Sequence, residues 1–138
     1  MDAEFRFDVE LAVRYRDLDT LGHVNNAVYA TYLEQARAEY ARDVLDLDLD
    51  DIDTVLATLS IDYSAPLELS DSPVEVRLTV PELGASSIPM EYELRGNGGS
   101  GPLAATAETV QVAFDRETGD SRPIPDAWRD RIAAYHGL

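Results

Sequence analysis

One apolar stripe at helical spacing, with strand-like alternation on both sides of it, constrains this chain more than any other feature. Tyr29, Leu33, Ala36, Tyr40 and Val44 recur at steps of four and three, the pattern of a helix that buries one face. From about Asn26 to Asp43 such a helix runs roughly 26 Å at 1.5 Å per residue, and it is the only long one predicted. Asn25 or Asn26 serves as N-cap, because its side chain accepts from a first-turn N–H. Glu34–Arg37 and Glu39–Arg42 stand at i, i+3 and support the helix. Ahead of it, residues 5–15 alternate, with Phe5, Phe7, Val9, Leu11, Val13 and Tyr15 on one side and Arg6, Asp8, Glu10 and Arg14 among those opposite. That is a half-buried strand. Four strand-like stretches follow the helix: Val55–Tyr63, Val74–Val80, Ser87–Arg95 and Leu103–Phe114, separated by Pro66, Pro73, Gly84 and the glycine-rich 96–101. A short C-terminal helix, about Asp126–Tyr135, comes after Pro123 and Pro125. A lone amphipathic helix needs a curved sheet of similar length to bury its stripe. The expectation is an α+β fold with the later strands in a mostly antiparallel meander.

Length and charge bound the rest. The 138 residues make one domain, 1–138, and a chain of that size buries roughly two-thirds of its unfolded surface. No apolar run approaches the ~18 residues of a membrane span. Residues 1–10 are acidic and alternating, unlike a signal or transit peptide, so a cytoplasmic location is expected. The absence of cysteine removes disulfides and thiolate chemistry. Twenty-seven acids stand against 11 bases, for a net charge of −16, and every base is arginine. Acid excess without lysine points to the cytosol of a salt-accumulating organism, the alternative being an ordinary acidic protein from a GC-rich genome. Nucleic acid is excluded as a partner, since phosphate binding needs a basic patch and none is visible. The same argument touches any polyanionic ligand, but at molar salt the Debye length is about 3 Å and a few local arginines suffice.

Three motif-like segments fail on context. The acidic run 46–53 lacks the glycine and the terminal glutamate of a calcium loop, carrying Asp51 at the sixth position. GNGGSG, 96–101, satisfies a dinucleotide fingerprint literally, but Pro102 and another strand follow where a helix is required. The two histidines, His23 and His136, are too few and too far apart for a zinc site or a triad. No metal and no cofactor is called for.

The chemistry concentrates where the first strand gives way to the helix. Asp17, Asp19, Gly22, His23, Asn25 and Asn26 fall within ten residues. The first N–H groups of a helix lack internal partners and carry the positive end of its dipole. Aimed at a carbonyl oxygen, they form an oxyanion hole, and one carboxylate then completes a minimal hydrolase. On spacing alone, Asp19 also fits a local Asx-turn or helix-end acid with no catalytic part.

Tyr15, Asp17, Asp19, Gly22, Val24, Asn26, Tyr29, Tyr32 and Glu34 together resemble the signature Y-x-D-x-D-x-x-G-x-V-x-N-x-x-Y-x-x-Y-x-E of hot-dog-fold acyl-CoA thioesterases of the 4-hydroxybenzoyl-CoA thioesterase-like family. IDYSAPLELSD (61–71), LGASSIPMEYEL (83–94) and ATAETVQVAFDRETGDSRPIP (105–125) resemble later segments of that family in the same order. The resemblance implies the hot-dog fold, a curved antiparallel sheet of about five strands wrapped around one long helix. It implies hydrolysis of an acyl-CoA to free acid and coenzyme A, with Asp19 as base or nucleophile and the Asn26 N–H polarising the thioester carbonyl. Gly22 would allow the tight turn, and His23 either touches substrate or braces that turn. Tyr29 would border the acyl pocket or line the core, while Ser64, Ser86 and Ser87 would touch substrate or satisfy backbone. Glu34 is the rival carboxylate. Arg77, Arg95 and Arg122 are candidates for the coenzyme A phosphates. The family pairs protomers, so a homodimer or homotetramer is expected. Two alternatives stay open: an acyl carrier protein as the acyl donor, and a non-catalytic acyl-CoA-binding module.

Overall fold

The computed structural model describes residues 5–138; the start of the acidic segment 1–10 lies outside the described residues. Five strands form one antiparallel sheet: β1 (Phe7–Leu11), β2 (Thr54–Tyr63), β3 (Val74–Thr79), β4 (Ser87–Arg95) and β5 (Leu103–Ala113). The long helix α1 spans Asn26–Asp43 and the C-terminal helix α2 spans Asp126–His136. In α1, Tyr29, Tyr32, Leu33, Ala36, Tyr40 and Ala41 are buried. The helix lies against β1 and β3, joining a core that includes Val74, Val76, Leu78, Tyr92 and Leu94. This is the helix-in-curved-sheet arrangement the stripe requires.

The strand order is β1-β3-β4-β5-β2, which corrects the expected meander. Only β3, β4 and β5 follow one another; β2 pairs with β5 through Tyr63↔Ala105 to Thr54↔Ala113, with a register shift between Leu56 and Thr58. From β2 to β3 the chain moves three places across the sheet, about 14 Å at the usual strand spacing. The segment 64–73 covers that distance by passing under the start of α1, where Val24 N–H donates to the Leu67 carbonyl at 2.7 Å. Sequence periodicity reports a strand's faces and carries nothing about which neighbour it takes.

A second correction concerns the first strand, which ends at Leu11. Residues Tyr15–Asp17 form a 3-10 turn instead, and Tyr15 is 83% exposed rather than continuing the inward face. The turn is held by the Asp17 carboxylate, which accepts from the N–H of the N-cap residue Arg14 at 2.8 Å. The glycine-rich 96–101 is the β4–β5 hairpin tip, with Gly98 and Gly99 at positive φ. No described helix is long and apolar enough to cross a membrane.

Candidate active site

The loop from Asp17 to Asn25 is folded by its own polar groups. Asp19 N–H donates to the His23 carbonyl at 2.7 Å, and Gly22 N–H donates back to the Asp19 carbonyl at 3.1 Å. Gly22 sits at φ +78, where an L side chain is strained, although a Cβ there would meet nothing within 4 Å. Asp19 Oδ1 accepts from Leu21 N–H at 2.9 Å and from His23 N–H at 3.1 Å. Among the described residues, no donor reaches Asp19 Oδ2. One oxygen therefore anchors the carboxylate while the other is open.

Asn25 is the N-cap of α1, and its Oδ1 accepts from Ala27 N–H at 2.9 Å. Val28 N–H donates to the Asn25 carbonyl at 2.8 Å. These bonds satisfy the helix start on both sides of Asn26 and leave the Asn26 N–H without an acceptor among the described residues. An unfilled first-turn N–H at the positive end of an 18-residue helix is an available anion-facing donor.

Asp19, His23, Asn26, Tyr29 and Ser64 come together in one open pocket of about 280 Å³, with Tyr63, Ala65 and Pro66 forming the opposite wall. Ser64 is held there by its N–H on the Ala104 carbonyl at 2.8 Å. Tyr63 reaches across from β2, its hydroxyl donating to the Asn26 carbonyl at 2.9 Å, and its ring meets Tyr29 edge-on at 4.9 Å. His23 bridges to Glu68, with Nε2 3.8 Å from Oε2.

Behind the loop, Asp17 is 2% exposed. It accepts from Tyr32 Oη at 2.9 Å and from Arg14 Nη2 at 3.1 Å. Burial pushes its carboxyl up, and the hydrogen bonds from the Arg14 backbone, the Arg14 side chain and Tyr32 outweigh that, leaving it below the ordinary carboxylate value. Asn25 N–H donates to the Asp17 carbonyl at 2.9 Å, so this buried acid ties the turn to the N-cap.

Ser87 lies elsewhere, at the start of β4 opposite Val112, with its carbonyl accepting from Gly84 N–H at 2.9 Å. Ser86 is next to it, its carbonyl taking the Ala113 N–H. Glu34 lines a different cavity, with Arg37, and the two form no ion pair among the described residues; Glu39–Arg42 does, at 3.7 Å. Arg77 pairs with Glu75 at 2.9 Å, Arg95 with Glu93 at 2.8 Å, and Arg122 stands 3.7 Å from Asp53. Sequence reasoning did not single out Tyr63, Pro66 or the Asp17–Tyr32 bond. Tyr63 and Pro66 lie inside the segment 61–71 that resembles the family, which was the available signal.

A five-stranded antiparallel sheet around one long helix is the hot-dog architecture. The chain belongs to the thioesterase-like superfamily, whose profile matches residues 13–132. It is 32% identical to the acyl-CoA thioesterase YbgC of Haemophilus influenzae, over 100% of this chain and 98% of that protein. A thioesterase from Thermus thermophilus, crystallised with coenzyme A and zinc, superposes with a TM-score of 0.86 at 38% identity, covering 98% of this chain and 97% of that one. Slr0204, a 1,4-dihydroxy-2-naphthoyl-CoA thioesterase from Synechocystis, superposes at 0.82 with 26% identity, over 92% of this chain and 95% of that one.

Proposed function

We propose that this protein hydrolyses an acyl-CoA thioester to a free carboxylic acid and coenzyme A at the Asp19–Asn26 pocket. The observation that carries this reading is the pairing of one open carboxylate oxygen, Asp19 Oδ2, with one unfilled helix-start N–H, Asn26, in the same pocket. The thioester carbonyl oxygen accepts from Asn26 N–H, and charge developing there is stabilised by a donor of a kind often worth about 3 kcal/mol. Acting as base, Asp19 Oδ2 takes a proton from water as the water oxygen bonds to the carbonyl carbon. Collapse of the intermediate breaks the carbon–sulfur bond, and the departing thiolate receives that proton. Acting as nucleophile, the same oxygen bonds to the carbonyl carbon, the carbon–sulfur bond breaks to release the thiolate, and water then opens the anhydride, regenerating the Asp19 carboxylate and supplying the protons of the free acid and the thiol. Both routes need Oδ1 anchored, as the Leu21 and His23 N–H groups hold it. Tyr29, Tyr63 and Ser64 border the acyl and pantetheine path, and Gly22 permits the turn that presents Asp19. His23, 3.8 Å from Glu68, braces the loop.

The chain also fits a homodimer or homotetramer. β2 is an edge strand whose Val55, Leu56, Leu59 and Tyr63 are 40–48% exposed, and an apolar unpaired edge is a ready template for a second copy. The acid excess without lysine fits a salt-rich cytoplasm.

Free thiol release from a panel of acyl-CoAs in about 2 M KCl, where surface charge is screened within about 3 Å, tests the assignment. Asp19→Asn is expected to retain the fold by circular dichroism and to lose ~100-fold or more in kcat/KM, as removal of a general base typically costs. Equal rates for parent and variant would move the chemistry away from Asp19. Acyl-CoA binding by the parent without turnover would replace the enzyme with a binding module.

A further inference from the structure

The residues on either side of Asn26 are fixed by near neighbours in the chain. Asn25 N–H donates to the Asp17 carbonyl, the Asn25 side chain takes the Ala27 N–H, and the Asn25 carbonyl takes the Val28 N–H. These bonds shape the first turn of α1 without placing it against the sheet. Two hydrogen bonds from distant parts of the chain tie it there. One is a backbone bond, from Val24 N–H to the Leu67 carbonyl at 2.7 Å. The other is the Tyr63 hydroxyl, which reaches the Asn26 carbonyl at 2.9 Å from 37 residues away.

Backbone chemistry does not require that second bond. The carbonyls a helix leaves without partners are its last four. The carbonyl of Asn26 stands at the first position of an 18-residue helix, where the N–H four residues on serves it. Nor does the phenol need it, since Tyr63 is 47% exposed and water can serve its hydroxyl. What the bond supplies is geometry. Tyr63 ends β2, paired with Ala105. Directly after it the chain is pinned again, with the Ser64 and Ala65 N–H groups on the Ala104 carbonyl at 2.8 and 3.1 Å. The Tyr63 ring rests edge-on against buried Tyr29, centroids 4.9 Å apart. With its backbone and ring both held, the hydroxyl has little freedom, and the end of β2 grips the residue whose N–H faces the pocket.

We propose that Tyr63 is a positioning residue for thioester hydrolysis: through its hydroxyl, the sheet sets where the Asn26 N–H points. This rests on the proposed role of that N–H as donor to the thioester carbonyl. The carbonyl and the N–H of Asn26 belong to different peptide planes, so Tyr63 acts on the placement of the donor and not on its polarity. Placement matters because the donor has to meet the oxygen at about 3 Å once charge has developed there, and a misplacement of about 1 Å can cost on the order of 100-fold. An interaction made mainly in the transition state governs kcat and leaves KM alone.

Tyr63→Phe keeps the ring against Tyr29 and removes only the hydroxyl. In thiol release from hexanoyl-CoA and benzoyl-CoA it is expected to lower kcat by ~10-fold, within the range a displaced donor costs, with KM close to that of the parent. A ring that only packed would leave kcat intact in Tyr63→Phe and reduce it in Tyr63→Leu. A spectroscopic reading is more direct. Asp19→Asn is expected to hold the thioester without cleaving it, and infrared difference spectra of benzoyl-CoA isotope-labelled at the carbonyl then report the hydrogen bond to the reacting oxygen. That bond appears as a downshift of the carbonyl stretch from its value in solution, and adding Tyr63→Phe should shrink the downshift. Equal downshifts with and without the Tyr63 hydroxyl would overturn the proposal, as would an unchanged kcat in Tyr63→Phe or a loss confined to KM. Failure of the underlying reading looks different. No downshift in Asp19→Asn alone removes Asn26 as donor, and the proposal with it. Full turnover by Asp19→Asn moves the base elsewhere and leaves Tyr63 to be judged on kcat and KM. Binding by the parent without turnover would overturn both.

Discussion

The residue that organises the candidate site is not one that touches its pocket. Asp17 is buried, and its carboxylate collects the Arg14 N–H, the Arg14 guanidinium and the Tyr32 hydroxyl. Its carbonyl meanwhile holds the Asn25 N–H that starts the helix. Removing one donor leaves a buried acceptor partly unsatisfied, which costs about 1–3 kcal/mol. Tyr32→Phe is accordingly expected to lower the stability read from the denaturant midpoint by that amount and to reduce turnover through a loosened loop, with acyl-CoA binding less affected. Equilibrium unfolding in guanidinium chloride, run beside a thiol-release assay, checks both. The family resemblance singles out Asp19 of the D-x-D pair, but the residues by themselves do not divide the labour between the two acids. Asp17 and Asp19 are two residues apart and chemically identical. Only the fold turns one under Tyr32 and leaves the other with an open oxygen.

Among the elements, α1 was the most legible: periodicity and a cap at Asn25 or Asn26 predict a helix from about Asn26 to Asp43, and the helix observed spans Asn26–Asp43 with Asn25 as its cap. A stripe of large side chains leaves a helix few alternatives. α2 was legible as a helix but not as a docked one. It is pinned by Trp128 and Ile132 in the core, by Arg129 on the Gly84 carbonyl at 2.7 Å, and by His136 Nε2 at 2.9 Å from Tyr40 Oη. The two His136–Tyr40 rings also stack at 5.8 Å. Burial, with Arg6 adding repulsion, lowers the His136 pKa from 6.5 to about 4. The folded protein therefore keeps this imidazole neutral where the unfolded chain protonates it, so the unfolded state binds more protons across that interval. Stability contributed by the neutral form is full above pH 6.5 and declines as pH falls toward 4. Denaturant midpoints at pH 7 and pH 5 should differ more for the parent than for His136→Gln, which retains a hydrogen-bonding side chain against Tyr40 and does not titrate.

For the whole molecule, charge and edges dominate. A net charge of −16 on 138 residues makes self-repulsion a standing cost, and salt relieves it once the Debye length drops from about 10 Å at 0.1 M to about 3 Å at 1 M. The melting temperature should therefore rise steeply with KCl in a calorimetric series and flatten near molar salt. At the β2 edge, Leu59 is 40% exposed. Leu59→Arg should shift sedimentation velocity toward the monomer if a second copy pairs there, and parent and variant that sediment alike would remove β2 from the interface. Local pattern accounts for the number and kind of the main elements, the lone long helix, the absence of cysteine chemistry and the cluster of acid, glycine and asparagines at one strand–helix junction. Those are local properties, written in periods of two and 3.6 and in the chemistry of near neighbours. Tertiary structure alone decided that β2 joins β5, that Tyr63 and Ser64 face Asn26, that Ser87 sits apart, and that Arg37 turns away from Glu34 toward Tyr92. Each of those depends on pairs far apart in the chain, and no local pattern encodes which partner a strand or a side chain will meet.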